Sequence, residues 1–130
     1  MEEQNWEGGQ EVQSNWFKFV SVGDKIKGTL LNKYFAKATI EGYQDQWVYE
    51  LQTTNGEIWN VSVASTKTGT IQRLNRCKLG EIVGIIFDKE IPASSKGKQP
   101  AKGLSVYTFG MDPAYQIAEE MGGEVVPSND

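Results

Sequence analysis

The sequence predicts a mainly β protein, a small five-stranded barrel with one short helix and flexible acidic termini. Three observations predict it. Short runs of alternating apolar and polar residues recur between turn signals, with little helical period. The segments Val22-Gly-Asp-Lys-Ile-Lys-Gly28 and Leu79-Gly-Glu-Ile-Val-Gly84 echo each other, each setting a Gly-acid turn before a strand with a glycine inside it. Bends of this kind suit a small closed barrel, whose strands must bend to close. Finally, the elements run strand, strand, strand, helix, strand, strand. With 130 residues, four Trp, five Tyr and five Phe, the chain has the length of one domain and bulk for one core.

Residues 1–15 are rich in Gln, Asn, Glu and Gly and read as a flexible acidic arm, with structure starting near Trp16. The first strand runs from Lys25 to about Thr39, and Gly28 marks a bulge or bend within it. Trp47–Gln52 and Ile58–Val63 alternate cleanly around the hairpin signal Thr53-Thr-Asn-Gly-Glu57. A two-residue Asn-Gly loop would put Trp47, Tyr49 and Leu51 on the face opposite Trp59, Val61 and Val63. A three-residue loop with Gly56 left-handed pairs Leu51 with Trp59 and gathers all six on one dry face, so that register is expected. Thr70 to Lys78 is the helix, with Thr70 as its cap, Ile71 and Leu74 on one face and Gly80 as its stop. Glu81–Lys89 is the fourth strand, apolar on both faces. Ile91 to Lys102 is a loop rich in Lys, Ser, Gly and Pro, and Gly103–Gly110 is the fifth strand. Residues 16–113 make the folded body. Residues 114–130 make an acidic tail, opening on a short helix with Pro113 near its first turn. A β-β-β-α-β-β order with a bent first strand is that of the OB-fold.

Net charge is −4, but its distribution is uneven. Residues 1–17 carry four acids and no base, and residues 112–130 carry five acids and no base. All thirteen Lys and Arg fall between, against eight acids, so the middle carries +5. A basic body between acidic arms fits a protein that handles polyanions; charged tails that only keep the domain soluble fit equally well. The chain has no histidine and one cysteine, Cys77. That excludes Ser-His-Asp and Cys-His catalysis, a Cys/His zinc site and an internal disulfide. The carboxylates form no catalytic pair, and Ser94-Ser-Lys-Gly-Lys98 lacks the spacing of a phosphate-binding P-loop. The expectation is a non-enzyme with no metal and no cofactor. The acidic N-terminus is no signal peptide and apolar runs such as Ile82–Phe87 are too short to span a bilayer, so a cytoplasmic location without membrane contact is expected.

The stretch from Phe19 to Pro113 resembles the OB-fold single-stranded DNA-binding proteins of phages and bacteria. The resemblance is carried by the Val-Gly-Asp-Lys-Ile-Lys-Gly start, Gln46-Trp-Val-Tyr-Glu50, Gly56-Glu-Ile-Trp59 and the lysine-rich loop before Leu104-Ser-Val-Tyr107. It implies sequence-tolerant binding of single-stranded DNA in replication, recombination or repair. It also implies an acidic tail that modulates binding or recruits replication or recombination proteins. The end Pro127-Ser-Asn-Asp130 lacks the terminal aromatic that many such tails carry.

Physical chemistry points to particular residues. In a strand, Lys33, Phe35 and Lys37 share a face, so a base can stack on the ring while ammonium groups meet the flanking phosphates. The competing reading packs Phe35 under the arm and leaves the lysines as an ordinary solvated edge. Trp47, Tyr49 and Trp59 fall on the core face, where Tyr49 reads as core. A small barrel has little room for two indoles, so Trp47 and Trp59 stay candidates to stack from the rim. Lys96, Lys98 and Lys102 sit in the loop that flanks an OB groove, and Tyr107 follows them on the fifth strand. Arg73 and Arg76, one helical turn apart with Lys67 and Lys78 nearby, read as the exposed side of the helix, with a second basic patch as the alternative. The runner-up function is a structural or adaptor barrel, for example a phage assembly component, with no nucleic-acid role. Either reading leaves homo-oligomerisation open.

Overall fold

A computed structural model describes residues 15–93 and 100–116. Six strands and one helix follow one another: β1 (Asn15–Trp16), β2 (Lys25–Ala36), β3 (Gln46–Gln52), β4 (Ile58–Ala64), α1 (Thr68–Asn75), β5 (Glu81–Ile91) and β6 (Ala101–Met111). They form one open sheet in the order β1-β4-β3-β2-β5-β6. The protein is mainly β, as expected, but two features of the expected barrel differ. The sheet does not close on itself, and a sixth strand, β1, runs parallel to β4 at one edge. No helix among the described residues is long and apolar enough to cross a membrane.

Strand β2 organises the sheet. Its first half, Lys25 to Thr29, pairs with β5, and its second half, Thr29 to Ala36, pairs with β3. Gly28 sits where the strand changes partners; a Cβ there would meet the Gln52 carbonyl oxygen at 2.7 Å, so only glycine lets the backbones approach. A bulge between Leu30 and Asn32 follows. It shifts the alternation by one residue, so Ile26 and Leu30 face the core before it and Lys33 and Phe35 after it.

The β3–β4 hairpin takes the expected register. Leu51 opposes Trp59, Gly56 has φ +90°, and the Thr53 N–H reaches the Glu57 carbonyl at 2.9 Å. Trp47, Tyr49, Leu51, Trp59, Val61 and Val63 therefore share the core face. The opposite face is less wet than the alternation implies, since Val48 and Asn60 are buried on it. Val48 lines a cleft there with Trp16, Ile40 and Tyr43. Leu30, Leu74, Val83, Ile85 and Phe87 complete the centre of the core.

Helix α1 starts two residues earlier than the sequence suggests. Lys67 holds the cap position without a side-chain hydrogen bond, and Thr70 lies inside the first turn, buried. A backbone turn, with the Lys67 N–H on the Ala64 carbonyl at 2.9 Å, sets the start instead. Nor is Gly80 the helix stop. It has φ +92° in the turn into β5, its N–H donates to the Leu30 carbonyl at 2.7 Å, and the Tyr115 ring lies where its Cβ would be. Asp112 opens the final helical turn, 113–116, by accepting the Ala114 N–H at 2.9 Å. Its carboxylate also accepts the Thr29 hydroxyl, which fastens the end of β6 to β2. The remainder of the helix expected up to Met121 lies outside the described residues.

Between β4 and β6, where a closed barrel would have a ladder, side chains fill the gap. Phe17 and Phe19 pack against the core, edge to face with ring centroids 4.9 Å apart. The Phe17 N–H holds this segment to the Asn60 carbonyl at 2.9 Å. A cleft of about 510 Å³ remains, lined by both rings with Val63, Lys67, Lys102 and Leu104.

Candidate nucleic-acid interface

The lysine–phenylalanine run of β2 is not the surface that its alternation suggests. After the bulge, Lys33 opposes the fully buried Tyr49, and Phe35 opposes Trp47. The Lys33 ammonium donates to the Asn75 carbonyl at 3.0 Å and the Cys77 carbonyl at 2.8 Å, closing off the C-terminal end of α1. Lys33 is thus a structural lysine. Phe35 stands at the open end of the core face, 48% exposed and edge-on to Trp47 at 5.9 Å. Lys37 is exposed just past the strand end.

The indoles follow the hairpin register inward. Trp47 lies stacked beside Tyr49, with centroids 6.3 Å apart, and Trp59 packs against the core with Phe17 on its edge. The Trp59 Nε1–H donates to Glu57 at 3.2 Å. Both rings are partly buried, so neither projects freely from the rim. Burial pushes the Tyr49 hydroxyl well above its usual range, and it stays protonated as a donor to Asn75 at 3.0 Å. Lys96 and Lys98 lie outside the described residues. Lys102 is exposed at the start of β6, and its carbonyl accepts the Lys67 ammonium at 3.3 Å. Arg73 on α1 and Arg76 at its C-terminal cap are exposed.

Tyr107 leads to a surface that sequence reading only half found. On the outer face of β2, β5 and β6, one cross-strand row is Lys27, Gly84 and Tyr107, and the next is Lys25, Ile86 and Ser105. Phe109, two residues beyond Tyr107, rises on the same face. Tyr107 is 54% exposed and Phe109 53%. Gly84 makes room for them: a Cβ there would stand 3.0 Å from the Phe109 ring. The Lys27 ammonium sits 4.0 Å from the centre of that ring, held by the ring's quadrupole. Phe109, Lys25 and Lys27 were missed because each carries only half a signal. Lys-x-Lys, an inner glycine and Tyr-x-Phe belong to three strands, and only the pairing brings them together.

The two ends of this outer surface are fixed by carboxylates. Asp24 accepts the Val20 and Ser21 N–H groups at 2.8 and 2.9 Å, which hold its carboxyl below the usual range, and Lys25 follows directly. Asp112 is lowered chiefly by the Thr29 hydroxyl and then by the Ala114 N–H. The Cys77 thiol is buried, and burial followed by the nearby Glu81 charge pushes it up, away from the reactive thiolate. Among the described residues, no group of three His, Cys, Asp or Glu stands close enough to hold a metal ion. No protein-family profile, curated protein sequence or solved structure matches the chain.

Proposed function

We propose that this protein binds single-stranded DNA without sequence preference, through base stacking on Tyr107 and Phe109 with Lys25 and Lys27 beside them. One observation carries the reading: two half-exposed rings two residues apart on β6, with the ammonium groups of β2 on the same face across Gly84 of β5. Single exposed hydrophobics are ordinary, but two rings on one face with an apolar strand beside them form a patch of the kind that marks an interaction surface. Every base offers a π-face, so stacking tolerates any sequence, while lysines meet phosphates without reading bases. No bond is made or broken in this mechanism. The loop that carries Lys96 and Lys98 joins β5 to β6, the two strands that bear the glycine and the rings, and with Lys102 at the start of β6 it supplies further phosphate contacts. Phe35 and Lys37 form a lesser contact at the other end of β2. The acidic tail modulates access or recruits replication, recombination or repair proteins.

The same proposal takes the fold as an OB-like barrel open along the β4–β6 seam. The OB-fold is a partly open five-stranded Greek-key barrel. The five long strands run β4-β3-β2-β5-β6 with the helix between β4 and β5, and β2 serves both halves through Gly28 and its bulge. Fluorescence anisotropy with a labelled dT oligomer tests the function. Binding at micromolar concentration or tighter is expected, weaker for duplex. About five phosphate contacts give log K against log[salt] a slope of roughly −3 to −4, at about −0.7 per contact. No binding, or a slope near zero, contradicts the reading.

A further inference from the structure

A second cationic feature lies where α1 begins. Lys67 gives the helix no side-chain cap, and the first turn contains no acid. Among the described residues, the N–H groups of Thr68, Gly69 and Thr70 donate to no acceptor; the first helical bond is from the Ile71 N–H to the Lys67 carbonyl at 3.0 Å. This end opens into a cleft of about 570 Å³ whose lining includes Lys67, Arg73, Lys89 and Lys102. The one acid there, Asp88, is engaged by the Ser105 hydroxyl.

Thr70 points independently to a ligand. The residue is 8% exposed and lines the same cleft, and its hydroxyl has no hydrogen-bond partner among the described residues. A buried hydroxyl without a partner carries a desolvation cost that an incoming oxygen would offset. The Arg73 guanidinium lies over this first turn, with Nη1 3.6 Å from where a Cβ on Gly69 would stand. Arg73 Nη2 is anchored on the Leu104 carbonyl at 3.4 Å, which holds the guanidinium beside β6.

We propose that this cleft is a phosphate site. The helix N–H groups and the Thr70 hydroxyl donate to the phosphate oxygens, and Arg73, Lys67 and Lys102 balance the charge. The phosphate group is either a diester of a DNA strand or a terminal monoester. Assigning it to a strand rests on the function proposed above; the affinity for phosphate itself does not.

The test is a backbone amide spectrum of the full-length, isotope-labelled protein titrated with inorganic phosphate, against chloride at equal ionic strength. Saturable shifts at the Thr68, Gly69 and Thr70 amides with phosphate alone are expected. Thr70→Val, which keeps the volume and removes the hydroxyl, and Arg73→Gln should each weaken those shifts at least several-fold while the rest of the spectrum stays folded. Silent α1 amides, or equal shifts with chloride, overturn the site. Dithymidylate and longer dT oligomers, with and without a 5′-phosphate, then separate the sources. Tighter binding of the phosphorylated ends identifies a monoester, and equal binding with α1 shifts identifies the strand backbone. Oligomers that move the Tyr107 and Phe109 resonances but leave α1 still refute the strand assignment and keep the platform. Phosphate shifts at α1 with no oligomer binding refute the single-strand function and keep the site.

Discussion

The two halves of the sheet are built from the same residue types and put them to opposite uses. In β2–β3–β4, a lysine and three aromatics, Lys33, Tyr49, Trp47 and Trp59, turn inward, and the lysine closes the end of α1. In β2–β5–β6, Lys25, Lys27, Tyr107 and Phe109 turn outward and are exposed, the two rings by just over half. The pattern of alternation is alike in both. What differs is a single extra residue: the bulge at Leu31 hands the second half of β2 to the core face. An aromatic–lysine alternation is therefore no guide to a binding surface until the face is known.

The largest effect should come from the inward half. Tyr49→Ala removes a fully buried ring and the hydrogen bond to Asn75, and should cost about 3–5 kcal/mol of stability by urea unfolding. A loss under about 1 kcal/mol would mean that this half is not the core it looks like. Lys33→Met sharpens the contrast. It removes two charge-assisted bonds at a partly exposed position and should cost about 1–2 kcal/mol, with DNA affinity unchanged. Full stability with weakened binding would return Lys33 to the interface.

Much of this arrangement was legible in the sequence. The hairpin register followed from requiring one dry face, because a one-residue slip would have put Trp59, Val61 and Val63 in water. A glycine inside a long strand signalled a special position at Gly28, where the structure shows a close backbone approach to Gln52, while the bulge itself comes later, between Leu30 and Asn32. The face of Lys33 and Phe35 was not legible, since nothing in Leu30-Leu-Asn32 announces which residue is extra. The two-residue β1 is too short for any period, and its parallel pairing depends on Phe17 and Phe19 finding the open seam. The outer platform required the order of β2, β5 and β6, which no local pattern contains.

Acid should separate the halves more gently. Asp24 and Asp112, whose carboxyls are held below their ordinary values, tie down the segment before Lys25 and the end of β6. A lowered folded-state value means that their contribution is present above the unfolded value of about 3.9 and is lost as pH falls through the folded one. Asp112→Asn should therefore lower Tm at neutral pH, with the gap to wild type closing below about pH 4. A gap that stays constant down to about pH 2.5 would show that the Asp112 charge contributes nothing.

The most direct measurement compares the two surfaces in one experiment. Labelled dT oligomer is titrated at low salt with wild type, with the double variant Tyr107→Ala/Phe109→Ala, and with Phe35→Ala. Each outer ring should be worth about 1–3 kcal/mol of stacking, so the double variant should bind at least about 30-fold more weakly. Its unfolding midpoint should stay near that of wild type, because both rings already stand in water. Phe35→Ala should change affinity by less than about threefold, below 1 kcal/mol. A double variant that binds like wild type, or a Phe35 variant that loses as much, would contradict the assignment of the outer face as the DNA platform.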